Sequence, residues 1–134
     1  MVLQRVPAVP EPGELSADAT ILGGTVYTTI IPTGLDGQVR GDIAAQSRVV
    51  LDNLRETLEE AGSGLEHVAH LTIYLTDIDR DRLGFNAVYR EYFPDGVVPV
   101  RCAVGVAALA RPEMLVEVTA IAAVAAGRDT IGDP

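Results

Sequence analysis

Apolar positions recur along this chain with two different periods, and the switches between them mark out its elements. From Ala19 to Ile31 the β-branched run ATILGGTVYTTII is broken by Gly23-Gly24, a hairpin turn signal, and predicts two strands. From about Asp42 to Ala61 the spacing changes to three and four. Ile43, Ser47, Val50, Leu54, Leu58 and Ala61 then form one mostly apolar helical stripe. Asp42 is placed to cap that helix and Gly62-Ser63-Gly64 to end it, while Arg55, Glu56, Glu59 and Glu60 make its solvated face. Glu66–Thr76 reads as another strand. Thr76-Asp77-Ile78-Asp79 leads into a second helix, roughly Arg80–Phe93, with Leu83, Val88 and Tyr92 inward and Pro94-Asp95-Gly96 as its stop. Two further β-branched runs, Val98–Val106 and Met114–Ile121, flank a short connector containing Pro112. They read as a hairpin centred near Leu109–Ala110.

The order ββ-α-β-α-ββ contains too little unbroken β–α alternation for a doubly wound sheet. It predicts an α+β fold: a single mixed sheet with two helices packed on one face. The other face has no helix to cover it, which predicts oligomerisation. Residues 1–18, rich in Pro, Glu and Ser, are expected to be an extended lead-in, 19–125 a single domain, and 126–134 a flexible tail.

With 134 residues, 48% of them hydrophobic and no Trp, the chain can build one largely aliphatic core. No apolar run approaches the ~20 residues of a membrane span. The first residues, Met1-Val2-Leu3-Gln4-Arg5, do not resemble a signal peptide. A single cysteine excludes an internal disulfide framework, and the expected location is cytoplasmic. A net charge of −9 argues against nucleic-acid binding, because phosphate contacts need a basic patch. All ten positive side chains are arginines, so Schiff-base chemistry on a lysine of this chain is excluded. His67 and His70, three apart on a strand, would face opposite ways, and no Cys or carboxylate has matching ligand spacing; no metal or other cofactor is expected.

Arg101 interrupts the first of the last two apolar runs and Glu117 the second. If those runs pair as a hairpin, the two charges fall opposite each other, or within one position, on a shared face. Two readings follow: a structural cross-strand salt bridge, or a functional site, since charges among Val, Ala and Met are expensive to bury without a task.

The segment Pro99-Val100-Arg101-Cys102-Ala103-Val104 followed by Leu115-Val116-Glu117-Val118 resembles the signature of the RidA/YjgF family. The resemblance extends from about Ala19 to Val124. It includes Ala44-Ala45-Gln46-Ser47 with Leu51-Asp52-Asn53, then Tyr74-Leu75-Thr76-Asp77, and Phe85-Asn86-Ala87-Val88-Tyr89 with Tyr92-Phe93. It implies a chorismate-mutase-like homotrimer with clefts between subunits, and hydrolysis of reactive enamine or imine intermediates. Three positions depart from the family pattern. Glu14-Leu15-Ser16 stands where a Tyr is usual, Thr28-Thr29 replaces Ser-Gly, and Ala103 stands where some members carry a cysteine.

Within that resemblance, Arg101 would hold a substrate carboxylate through its planar fork, and Glu117 would move a water proton. Thr28, Asn86 and the backbone near Cys102 and Ala103 would orient substrate or water. Cys102, one residue after Arg101, should point to the opposite face and reads as a small core residue. The expected reaction is conversion of 2-iminoacids to 2-oxoacids and ammonia. The alternatives are a divergent enzyme of a specialised pathway, and a non-catalytic trimer that binds a small carboxylate or regulates a partner. A ribonuclease activity fits poorly with the acidic charge and the lack of a catalytic histidine pair.

Overall fold

The structure, a computed structural model, describes residues 2–125. The expected C-terminal tail lies outside the described residues. Among the described residues six strands are present: β1 (Gln4–Val6), β2 (Ala19–Leu22), β3 (Thr25–Ile30), β4 (Val68–Leu75), β5 (Val100–Gly105) and β6 (Val116–Ala123). Two helices, α1 (Ile43–Glu60) and α2 (Ile78–Tyr92), pack together on one side of a single mixed sheet of order β1-β2-β3-β6-β4-β5. The lead-in contributes β1, which pairs with the outer edge of β2.

Local signals place most elements. Gly23 and Gly24 both take positive φ, 59° and 85°, as a two-residue hairpin loop requires, and set the β2–β3 register. Asp42 accepts a hydrogen bond from the Ala45 amide and Asp77 one from the Arg80 amide, capping the two helices. Of the expected inward stripe of α1, Ser47, Val50, Leu54, Leu58 and Ala61 are buried and Ile43 is half-buried, and Gln46 and Leu51 join it. On α2 the buried residues are Asp81, Phe85, Val88 and Tyr89. Leu83, expected inward, is exposed, and Tyr92 lies at the α1–α2 seam with its hydroxyl donating to Asp52. His67 sits in a short 3-10 turn rather than in a strand, and His70 is on β4 beyond a bulge at 69.

The last two strands correct the expected hairpin. β5 and β6 do not pair with each other: β5 lies parallel to β4 at the sheet edge, and β6 runs antiparallel between β3 and β4. The cause is the crossover through α2. A strand–helix–strand connection returns the chain parallel to the strand it left. β5 therefore takes one edge of β4, and β6 reaches the other through the loop at 106–115. There Val116, Val118, Ala120 and Ala122 are all buried against the helices, with Leu71, Ile73 and Leu75 of β4 beside them. Each fully buried leucine of this layer contributes about 2 kcal/mol from apolar area removed from water.

Gln46 secures that long loop. Its side chain is 2% exposed, donates to the Gly41 and Glu113 carbonyls, and accepts from the Leu115 amide. Gln46→Ala would leave three backbone groups short of a partner and should lower unfolding stability by about 2–4 kcal/mol in denaturant titration. An unchanged midpoint would show that water replaces the amide at no cost.

Candidate active site

Arg101 sits on the edge strand β5, opposite Leu71, and so points to the helix side of the sheet. Its Nη2 donates to Asn86 Oδ1 of α2 at 2.7 Å. Its guanidinium carbon lies 4.5 Å from the centre of the Tyr89 ring and 5.9 Å from that of Phe85. Among the described residues no carboxylate forms an ion pair with it. It borders a hollow of about 350 Å3 lined by Asn86, Tyr89, Phe93, Val98 and Pro99, with Arg90 and Asp95 at the rim. A half-buried guanidinium with spare donors in such a hollow suits a planar anion that can take two of its hydrogen bonds.

Glu117 occupies the opposite face. It is in register with Tyr74 of β4, between the buried Val116 and Val118, and so projects from the side of the sheet that carries no helix. It is half-buried and has no ion-pair partner among the described residues. Burial pushes its carboxyl pKa above the ordinary value. The expected shared face with Arg101 is therefore wrong, and so is the cross-strand salt bridge. The strands that carry the two charges are separated by β4, and the residues alternate onto opposite sides.

The remaining expected residues divide between those two faces. Ala103 shares the helix face with Arg101 and packs on the core. Cys102 points the other way, as its position after Arg101 requires, with Sγ 3.9 Å from Thr72 Oγ1. It is exposed rather than a core residue, because among the described residues nothing covers that face. Thr28 is buried on the helix side of β3, where its hydroxyl donates to the Asp18 carbonyl at 2.6 Å. That bond ties the lead-in to the sheet, with β6 and β4 lying between Thr28 on β3 and the hollow beside β5. Thr29 takes the place of a glycine without strain, since no described non-glycine residue has positive φ.

An aromatic wall lies outside the expected site residues. Phe85, Tyr89 and Phe93 stand four apart along α2 and its C-terminus, with Tyr89 stacked on Phe93 at 4.7 Å between ring centres. Their i, i+4, i+8 spacing was the available signal. Tyr89 is 6% exposed and its hydroxyl has no hydrogen-bond partner among the described residues. Burial raises its phenol pKa, and the neighbouring Arg101 pulls it the other way.

One mixed sheet, two helices on one side, and an arginine–asparagine hollow against an aromatic wall define a YjgF/L-PSP-like α+β protein. The chain matches the family described as Endoribonuclease L-PSP over residues 8–124 and belongs to it; this is the RidA/YjgF family that its motifs resemble. A RutC family protein of Pyrococcus abyssi is 43% identical over 84 residues, 63% of this chain and 64% of that protein, so the matched part spans less than two thirds of that relative's length. A RutC family protein of Sulfurisphaera tokodaii is 36% identical over 115 residues, 84% of this chain and 90% of its own. The crystal structure of a putative endoribonuclease L-PSP from Entamoeba histolytica superposes with a TM-score of 0.81 at 36% identity, covering 91% of this chain and 99% of that one.

Proposed function

We propose that this protein hydrolyses 2-iminoacids, or the enamines in equilibrium with them, to 2-oxoacids and ammonia. The observation that carries this reading is the Arg101 guanidinium, anchored by Asn86 and free of any carboxylate partner among the described residues. It matches a substrate that brings its own carboxylate. Glu117, held in a partly desolvated setting, takes a proton from water while the water oxygen bonds to the imine carbon and the C=N electron pair moves to nitrogen. Glu117 gives that proton to nitrogen, then takes the remaining hydroxyl proton and passes it to nitrogen as the C–N bond breaks, so that ammonia leaves, the 2-oxo group forms and the carboxylate is regenerated.

Arg101 and Glu117 sit on opposite faces of one sheet, so a shared substrate needs two copies of the chain. We place Arg101 of one copy and Glu117 of a neighbour in each cleft, with the helix-free face forming the contact in a homotrimer. Tyr27, Val100, Val104 and Ile121 leave exposed apolar area on that face, which favours such burial. Among the described residues no helix is long and apolar enough to cross a membrane.

The test is ammonia and 2-oxoacid release from freshly generated 2-iminobutanoate and 2-iminopropanoate. Acceleration over the spontaneous reaction is expected. Mixing Arg101→Ala and Glu117→Gln chains, each strongly impaired alone at substrate concentrations near the wild-type KM, should restore about a quarter of the clefts if the two residues come from different copies of a closed ring. No acceleration with any short or branched iminoacid would overturn the reading in favour of a ligand-binding trimer. Acceleration without complementation would place both residues in one chain's cleft.

A further inference from the structure

We infer that Tyr89 is a positioning residue for Arg101: its ring is the platform that holds the guanidinium flat and leaves the free edge of the fork turned to a bound carboxylate. The inference rests on the reading of Arg101 as the carboxylate holder and deepens it. A single hydrogen bond from Nη2 to Asn86 fixes one end of the guanidinium but leaves the plane free to turn about that bond. The aromatic face below it, 4.5 Å from the guanidinium carbon, removes that freedom. The platform is itself braced, since Tyr89 is stacked on Phe93 with an angle of 19° between the rings and is buried on α2. Phe93, Tyr89 and Arg101 thus form a short column along the wall of the hollow.

The energetic consequence concerns binding. An arginine side chain that is mobile before binding loses rotamer freedom when it closes on a ligand, whereas one already stacked loses little. The Tyr89 hydroxyl is buried and makes no well-formed hydrogen bond among the described residues, although the Arg101 guanidinium is near enough to oppose the rise that burial gives its pKa. Any planar ring at position 89 should serve, and an aliphatic side chain should not.

Two variants separate ring from hydroxyl. Tyr89→Leu removes the platform and should weaken binding of 2-oxobutanoate in calorimetry about 5- to 20-fold, and raise KM for the matching iminoacid similarly with kcat little changed. Tyr89→Phe keeps the ring and should restore affinity to within about twofold of wild type. It also removes an unpaired buried hydroxyl, so its thermal midpoint should be no lower than wild type. A ligand-free readout accompanies these. The Arg101 Nε–Hε proton resonance, assigned by its loss in Arg101→Ala, should be shifted upfield by the ring in wild type and Tyr89→Phe and should move back in Tyr89→Leu. A resonance that does not respond to Tyr89→Leu would overturn the inference, as would equal weakening by the Phe and Leu variants. If wild type binds no 2-oxobutanoate while the ring shift is present, the carboxylate reading of Arg101 fails instead.

Discussion

Glu117→Gln should lower kcat for 2-iminoacid hydrolysis by about 10²–10³-fold and leave KM nearly unchanged. The amide keeps the size of the carboxylate and removes its ability to take a proton. The same change should stabilise the protein at neutral pH. Glu117 has a folded-state pKa raised by burial, so the folded chain binds this proton more tightly than the unfolded chain does. Its contribution therefore becomes less favourable as pH rises from the ordinary carboxyl value of 4.5 through the raised value, and reaches its full cost once the group ionises in the fold. Gln carries no such cost. Denaturation at pH 7 should show the variant more stable than wild type, and the gap should close on acidification below pH 4.5. Equal turnover by the variant would remove Glu117 from the mechanism. A gap independent of pH would show that the amide gains a contact rather than losing a charge.

Arg101→Ala is expected to act on binding. A bidentate charged pair with a carboxylate is worth about 3 kcal/mol, which corresponds to roughly 10²-fold in KM or in the dissociation constant of 2-oxobutanoate. The loss should be selective, leaving the affinity for any ligand without a carboxylate unaltered. Arg101→Lys should recover only part of it, because an ammonium offers a point charge in place of the fork that Asn86 and the aromatic wall orient. An alanine variant that binds as well as wild type would assign the hollow a role unrelated to carboxylates.

The elements that could be read from the chain are those set by neighbours in sequence. The Gly23-Gly24 turn, the Asp42 cap and the stripe from Ser47 to Leu58 each depend on a few adjacent residues, and each is present in the structure. The second helix lies where its signals place it, and Val88 is inward as expected. Leu83 stands off the stripe of Phe85, Val88 and Tyr89 and is exposed, and Tyr92, nine residues from Leu83 and so about half a turn away, lies at the α1–α2 seam.

By itself, the sequence determined the α+β order, two helices for one face of a sheet, and two lone charges, Arg101 and Glu117, in otherwise apolar strands. Tertiary structure decided which strands pair. Alternation along a strand states which residues share a face within that strand, but not which edge the strand occupies; that depends on the crossover through α2 and the reach of the loop at 106–115. Inserting β4 between β5 and β6 sent Arg101 to the helix side and Glu117 to the open side. The two charges that could have faced each other across a hairpin thereby came to lie on opposite faces of the sheet, with no ion pair between them.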